Sequence, residues 1–121
     1  MPLLISLLLC HYLADYQLTN RRMLVAKSDG QKILPIIEHA AVHATLMLFV
    51  LFVFKVSWQV VLLGFGIELG THFVIDVSKG CITKRYPVFA DMRRKPYWQL
   101  YGLDQFLHTL VVLLIYHLAN P

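Results

Sequence analysis

Glu68, His72 and Asp76 recur at four-residue steps inside an apolar run, so on a helix they share one face. Ionisable side chains within a membrane-length apolar segment are costly and mark functional sites. Matching pairs sit in the other apolar stretches: His11 with Asp15, His39 with His43, and Asp104 with His108. Neutral imidazole and carboxylate are ligands for divalent zinc, iron, manganese or cobalt. A bound cation also offsets the cost of burying several carboxylates together. The candidate metal ligands are therefore His11, Asp15, His39, His43, His72, Asp76, Asp104 and His108. Glu68 is a candidate general base, with proton carrier and further ligand as alternatives. Eight candidate ligands exceed one tetrahedral zinc. They leave open two ions, or one ion with outer carboxylates that orient the imidazoles.

The elements that must position these groups follow from composition and spacing. The chain has 121 residues, 58% of them hydrophobic and only 15% charged, a balance expected of a membrane protein. Four apolar segments, at about 2–19, 35–54, 58–78 and 98–118, are each near the length that crosses a bilayer. They predict an all-α, integral membrane four-helix transmembrane bundle with antiparallel up-down connections, forming one domain over 1–121. Pro35 stands in the first turn of the second helix, where proline is tolerated. Lys55 and Ser57 mark a very short turn between the second and third. All Lys and Arg residues except Lys55 lie in or beside the first and third connections. The positive-inside rule then puts segments 20–34 and 79–97 in the cytoplasm and both termini outside, in the inner (cytoplasmic) membrane of a cell.

Depth along each helix supplies the strongest argument. In the two helices running inward the order is His then Asp, and in the outward fourth helix it is Asp then His. In space, every such pair therefore puts its Asp nearer the cytoplasm. A bundle would hold a layer of four imidazoles (His11, His43, His72, His108). Below it, toward the cytoplasm by about 6 Å, one i to i+4 step, would lie Asp15, Asp76 and Asp104, joined by His39. Gln17 and Gln105, next to these faces, are candidate hydrogen-bond partners.

Other classes fit less well. The net charge of +4 comes from short segments between apolar runs, and no nucleic-acid-binding motif is present, so no nucleic-acid partner is expected. Cys10 and Cys81 have neither metal-type spacing nor a disulfide framework. The first segment lacks a basic n-region and a small-residue cleavage site, and it carries His11 and Asp15. It is expected to be a mature helix rather than a signal peptide. Gly66 and Gly70 form a small-xxx-small pair on the opposite side of their helix from His72. They read equally as a homodimer contact and as ordinary packing. Trp58 and Trp98 read as interface anchors among membrane lipids.

The pattern His11-x-x-Ala14-Asp15-Tyr16-x-Leu18, then His43, then His72-Phe73-x-Ile75-Asp76-x-x-Lys79, then Leu103-Asp104-Gln105-x-x-His108 resembles a known group. It is similar to the small bacterial and phage membrane proteins catalogued as domain of unknown function 3307. The resemblance covers nearly the whole chain. It implies that His11, Asp15, His43, His72, Asp76, Asp104 and His108 are signature positions, and it carries no reaction with it.

Three functions suit the cluster. A metal-dependent hydrolase of a lipid-linked or headgroup substrate would use the metal to activate water, with Glu68 or an unligated Asp as base. A metal-ion or proton transport component would use the two layers as successive sites. A redox centre would hold haem or a di-iron pair, with His43 and His108 as facing axial ligands for haem.

Overall fold

The computed structural model describes residues 1–119. Among these the chain is all-helical: α1 (Pro2–Tyr16), α2 (Arg21–Asp29), α3 (Ile33–Val53), α4 (Trp58–Arg85) and α5 (Lys95–Ala119), with a 3-10 turn at Pro87–Phe89. α3, α4 and α5 are long and apolar enough to cross a membrane. α1 is apolar but shorter, 15 residues, or about 22 Å against a hydrocarbon core of about 30 Å. The four apolar helices pack in a ring: α1 on α3, α3 on α4, α4 on α5, and α5 back on α1.

The packing is inverted relative to a water-soluble domain. Large apolar side chains point outward, with Phe52 at 72% and Phe49 at 62% exposure, while His39, Glu68, His72, Asp76, Asp104 and His108 are buried. Outward apolar surface of this extent is stable only against lipid or another apolar partner. The ring has two halves. Leu3, Leu7, Met47, Leu51, Val61, Val112 and Ile115 form an apolar core at one end, and the polar side chains fill the other. In α4 the buried positions Val61, Gly64, Glu68, His72, Asp76 and Gly80 trace one stripe, the face expected of near-four-residue spacing.

The helices differ most from those read in the sequence at three places, each for a physical reason. α1 stops at Tyr16 rather than near Thr19. Gln17 and Leu18 both donate backbone N–H to the Leu13 carbonyl, and the Thr19 hydroxyl donates to the Ala14 carbonyl at 2.7 Å, so side chain and backbone together close the last turn. Segment 20–34, read as the connection between the first two apolar segments, contains α2. Asn20 caps it by accepting from the Met23 N–H at 2.9 Å, and Gly30 ends it at φ 66° in the left-handed region that glycine adopts freely. α4 runs on to Arg85 instead of ending at Ser78. Lys79-Gly80 reads locally as a stop, but Gly80 is a contact point for α2 and the helix passes through it. Lys84 and Arg85 then complement the C-terminal dipole, and Pro87 prevents continuation.

Between α3 and α4 the turn is tight. Lys55 takes φ 58°, with Lys55 N–H bonded to Phe52 O and Val56 N–H to Leu51 O. These two bonds form a Schellman cap in which a lysine holds the place usually given to glycine.

Candidate metal centre

The polar half of the ring receives side chains from every helix. α1 supplies His11 and Asp15 one turn apart, α3 supplies His39 and His43, α4 supplies Glu68, His72 and Asp76, and α5 supplies Asp104 and His108. The four imidazoles expected in one layer do form a closed ring. Centroid separations are 4.8 Å for His11–His43, 3.8 Å for His43–His72, 4.0 Å for His72–His108 and 5.4 Å for His108–His11. His39 joins at 4.7 Å from His43 and 5.1 Å from His72.

The carboxylates interleave with the rings instead of standing clear of them. Asp15 lies 3.5 Å from His11 Nε2, 3.4 Å from His43 Nε2 and 3.2 Å from His39 Nε2. Asp76 lies 3.6 Å from both His72 Nε2 and His108 Nε2. Asp104 is 3.6 Å from His108 Nε2. Glu68 accepts from His72 Nδ1 at 3.3 Å, with its other oxygen unpartnered.

Three donor sets have ligand atoms mutually within 4.8 Å: His11, His43, Glu68 and His72; Asp15, His39, His43 and His72; and His72, Asp76 and His108. Ligand atoms around a tetrahedral zinc stand about 3.4 Å apart, so each set needs only a modest contraction to close on an ion. His72 belongs to all three. Both nitrogens of His11 and of His43, Nε2 of His72 and His108, both oxygens of Asp76, Glu68 Oε2 and Asp104 Oδ1 are buried without a hydrogen-bond partner. Buried polar atoms are normally partnered, so a group of lone donors converging on one volume calls for an explanation.

Two lysines enter the same volume. Lys27 of α2 places its ammonium 3.4 Å from Asp15, 3.2 Å from Asp76 and 3.0 Å from His39 Nε2. Burial works against this charge, but Asp76, Asp15 and Asp104 outweigh it and hold the ammonium above the usual lysine value. Its stabilising contribution is therefore complete below about pH 10 and is lost only as pH rises through that raised value. Lys79 donates to Asp104 at 2.8 Å and lies 5.1 Å from the Tyr101 ring centre. The Gln105 amide donates to Asp15 at 3.2 Å, whereas Gln17 is exposed at the end of α1 and takes no part. His117 is exposed at the far end of α5.

Sequence reasoning passed over Lys27 as a loop charge. The signal that could have found it is the run from Asn20 to Gly30: an N-cap residue, Met23 and Ala26 at helical spacing, and a terminal glycine. It would have put Lys27 next to the buried Ala26 face.

A cavity of about 420 Å³ opens beside the cluster. Asp15, Lys27, Lys79, Asp104 and Gln105 form its polar floor, and Tyr16, Tyr97, Tyr101 and Phe89 its aromatic rim. The Tyr16 and Tyr101 hydroxyls hydrogen-bond to each other and join α1 to α5 there.

Fold and site together define a class: an apolar, all-helical protein with three helices able to cross a membrane and a buried His/Asp/Glu cluster able to hold a metal ion. Within that class the chain belongs to the family described as Protein of unknown function (DUF3307), whose sequence model matches residues 3–121. Comparison with curated proteins and with solved structures finds no match.

Proposed function

We propose that this is an integral membrane protein that holds a divalent transition metal (zinc, iron or manganese) in the His/Asp/Glu cluster and hydrolyses a lipid-linked or headgroup substrate. In this reading all four apolar helices cross the inner membrane, with 20–34 and 79–97 in the cytoplasm and both termini outside. The observation that carries the metal is the set of buried imidazole nitrogens and carboxylate oxygens that face one another without partners. The observation that supports a substrate is the cavity over Asp15 and Asp104, on the side that the basic segments mark as cytoplasmic.

His11, His43 and His72 would hold the ion, and Glu68, 3.3 Å from His72 Nδ1, is placed to take a proton beside them. A bound divalent metal supplies an activated water and polarises the scissile group. Lys27 and Lys79 would steer an anionic headgroup to the rim, and the aromatic side chains would cover it.

Transport is less well supported, because the apolar half of the ring closes the far end with Leu7, Met47, Leu51, Val112 and Ile115 and leaves no polar path. Haem is disfavoured by the rings themselves: His72 lies 3.8 Å from His43 and 4.0 Å from His108 between ring centroids, which fills the space a porphyrin plate between His43 and His108 would need.

Elemental analysis of the purified protein tests the metal. About one ion per chain is expected in the wild type, with a fall in His43→Ala, which removes one of the three imidazoles that would hold it. Substoichiometric metal, unchanged by the substitution, would sink the reading, and a Soret band would replace it with haem. Glu68→Gln is expected to keep the metal and to slow hydrolysis of lipid-linked phosphate or ester substrates by about 10² to 10⁴-fold. Wild-type turnover in Glu68→Gln would remove Glu68 as the base.

The reading includes a second copy of the chain as partner. A Cβ added at Gly66 or Gly70 meets nothing within 4 Å, and both residues line an apolar groove with Val74, Leu107, Leu110 and Leu114. Such small-residue positions let two membrane helices approach closely. Gly66→Leu combined with Gly70→Leu is expected to leave metal content unchanged and to convert a crosslinkable dimer into a monomer. Crosslinking equal to wild type would place any dimer contact elsewhere.

A further inference from the structure

Lys27 does more than balance charge at the edge of the cluster. The Thr19 hydroxyl spends its one hydrogen on the Ala14 carbonyl at 2.7 Å. It can therefore only accept from His39 Nδ1, 3.2 Å away. With the proton on Nδ1, His39 Nε2 carries a lone pair toward Lys27 at 3.0 Å. The Lys27 ammonium can only donate, so Nε2 faces it as an acceptor. Nε2 also stands 3.2 Å from Asp15 Oδ1, an approach of two acceptors that only a cation beside both makes favourable. The ammonium supplies that cation. It hydrogen-bonds to Asp15 Oδ1 and His39 Nε2 and pairs with the Asp76 carboxylate at 3.2 Å, on three different helices.

Asp15 and His39 belong to one of the donor sets that could close on a metal ion, and Lys27 already fills their open side. α2 is also built as a separable piece, capped by Asn20 at one end and turned by left-handed Gly30 at the other.

We propose that Lys27 is a tethered cation occupying a second metal position between Asp15, His39 and Asp76. The native protein then takes one divalent ion, at His11, His43 and His72, and a second enters only when Lys27 is withdrawn. This rests on the metal reading above and decides between the one-ion and two-ion alternatives.

The test is zinc or manganese stoichiometry, by titration and elemental analysis, on the purified wild type, Lys27→Met and Lys27→Arg. Expected are one ion in the wild type, two in Lys27→Met and one in Lys27→Arg, which keeps a charge there. One ion in wild type and Lys27→Met alike overturns the tethered cation, as do two in both. No ion in either protein overturns the metal reading itself, so the two failures are distinguishable. If Lys27→Met is unstable as purified, thermal unfolding with added zinc provides the second readout. Its midpoint should rise through two saturable phases against one in the wild type, and a single phase counts against the proposal.

Discussion

Replacing His72 with alanine is expected to strip the protein of metal while leaving its helices in place. The His72 side chain is 1% exposed and is the one residue common to all three donor sets. Its Nδ1 contacts Glu68 and its Nε2 contacts Asp76, so its loss opens both halves of the cluster at once. Losing even an outer partner of a metal ligand costs about 10 to 100-fold in affinity, and a lost ligand costs more. Metal content should fall from about one ion per chain to a trace. The wild type should gain about 2.7 kcal/mol of stability at a metal concentration 100 times its dissociation constant, and His72→Ala should gain none. His117→Ala, exposed at the far end of α5, serves as the control and should match the wild type in both respects. Because imidazoles bind metal only when neutral, wild-type metal should also be released in acid. Full metal retention by His72→Ala would mean that the cluster is not the binding site.

The contrast between His72 and Lys27 shows what the sequence makes legible. The spacings His11/Asp15, His39/His43, Glu68/His72/Asp76 and Asp104/His108 are helical. Helical periodicity therefore fixes the shared face, and the reversal of order in the fourth helix fixes the shared depth. Those nine residues do meet in one volume. Lys27 was invisible because its position depends on a non-local contact. Hydropathy reads 20–34 as a polar connection, and nothing within that stretch shows that Gly30 will meet Gly80, fifty residues on. The same contact explains α4, whose Lys79-Gly80 resembles a helix end until α2 is packed against it. α1 falls short because Thr19 turns to the Ala14 carbonyl and His39, a choice made by a tertiary partner and not by local propensity.

That glycine contact yields the second large effect: Gly80→Ala is expected to release α2 while α4 stays helical. A Cβ on residue 80 would lie 2.7 Å from Gly30 Cα and 2.8 Å from the Lys27 carbonyl oxygen. These are backbone atoms, so no side chain can swing away, and the strain belongs with overpacking substitutions that cost about 1 to 3 kcal/mol. Gly30 already holds φ 66°, and a Cβ built on it would stand 2.9 Å from Cys81 N and Val77 O, so that side of the contact is also closed by backbone. For α4 alone, alanine is the better helix former by about 1 kcal/mol, so the helix itself should persist. The strain falls on the α2 docking, and Lys27, one turn before Gly30, loses its 3.2 Å contact with Asp76. Amide exchange over Arg21–Asp29 should accelerate, and trypsin should gain access at Arg21, Arg22 and Lys27, while protection across Glu68–Asp76 stays at the wild-type level. Gly66→Ala, with open space around the added Cβ, should change neither. Unaltered protection of α2 in Gly80→Ala would show that the glycine pair does not hold it, and Lys27 would then be anchored by its ion pairs alone.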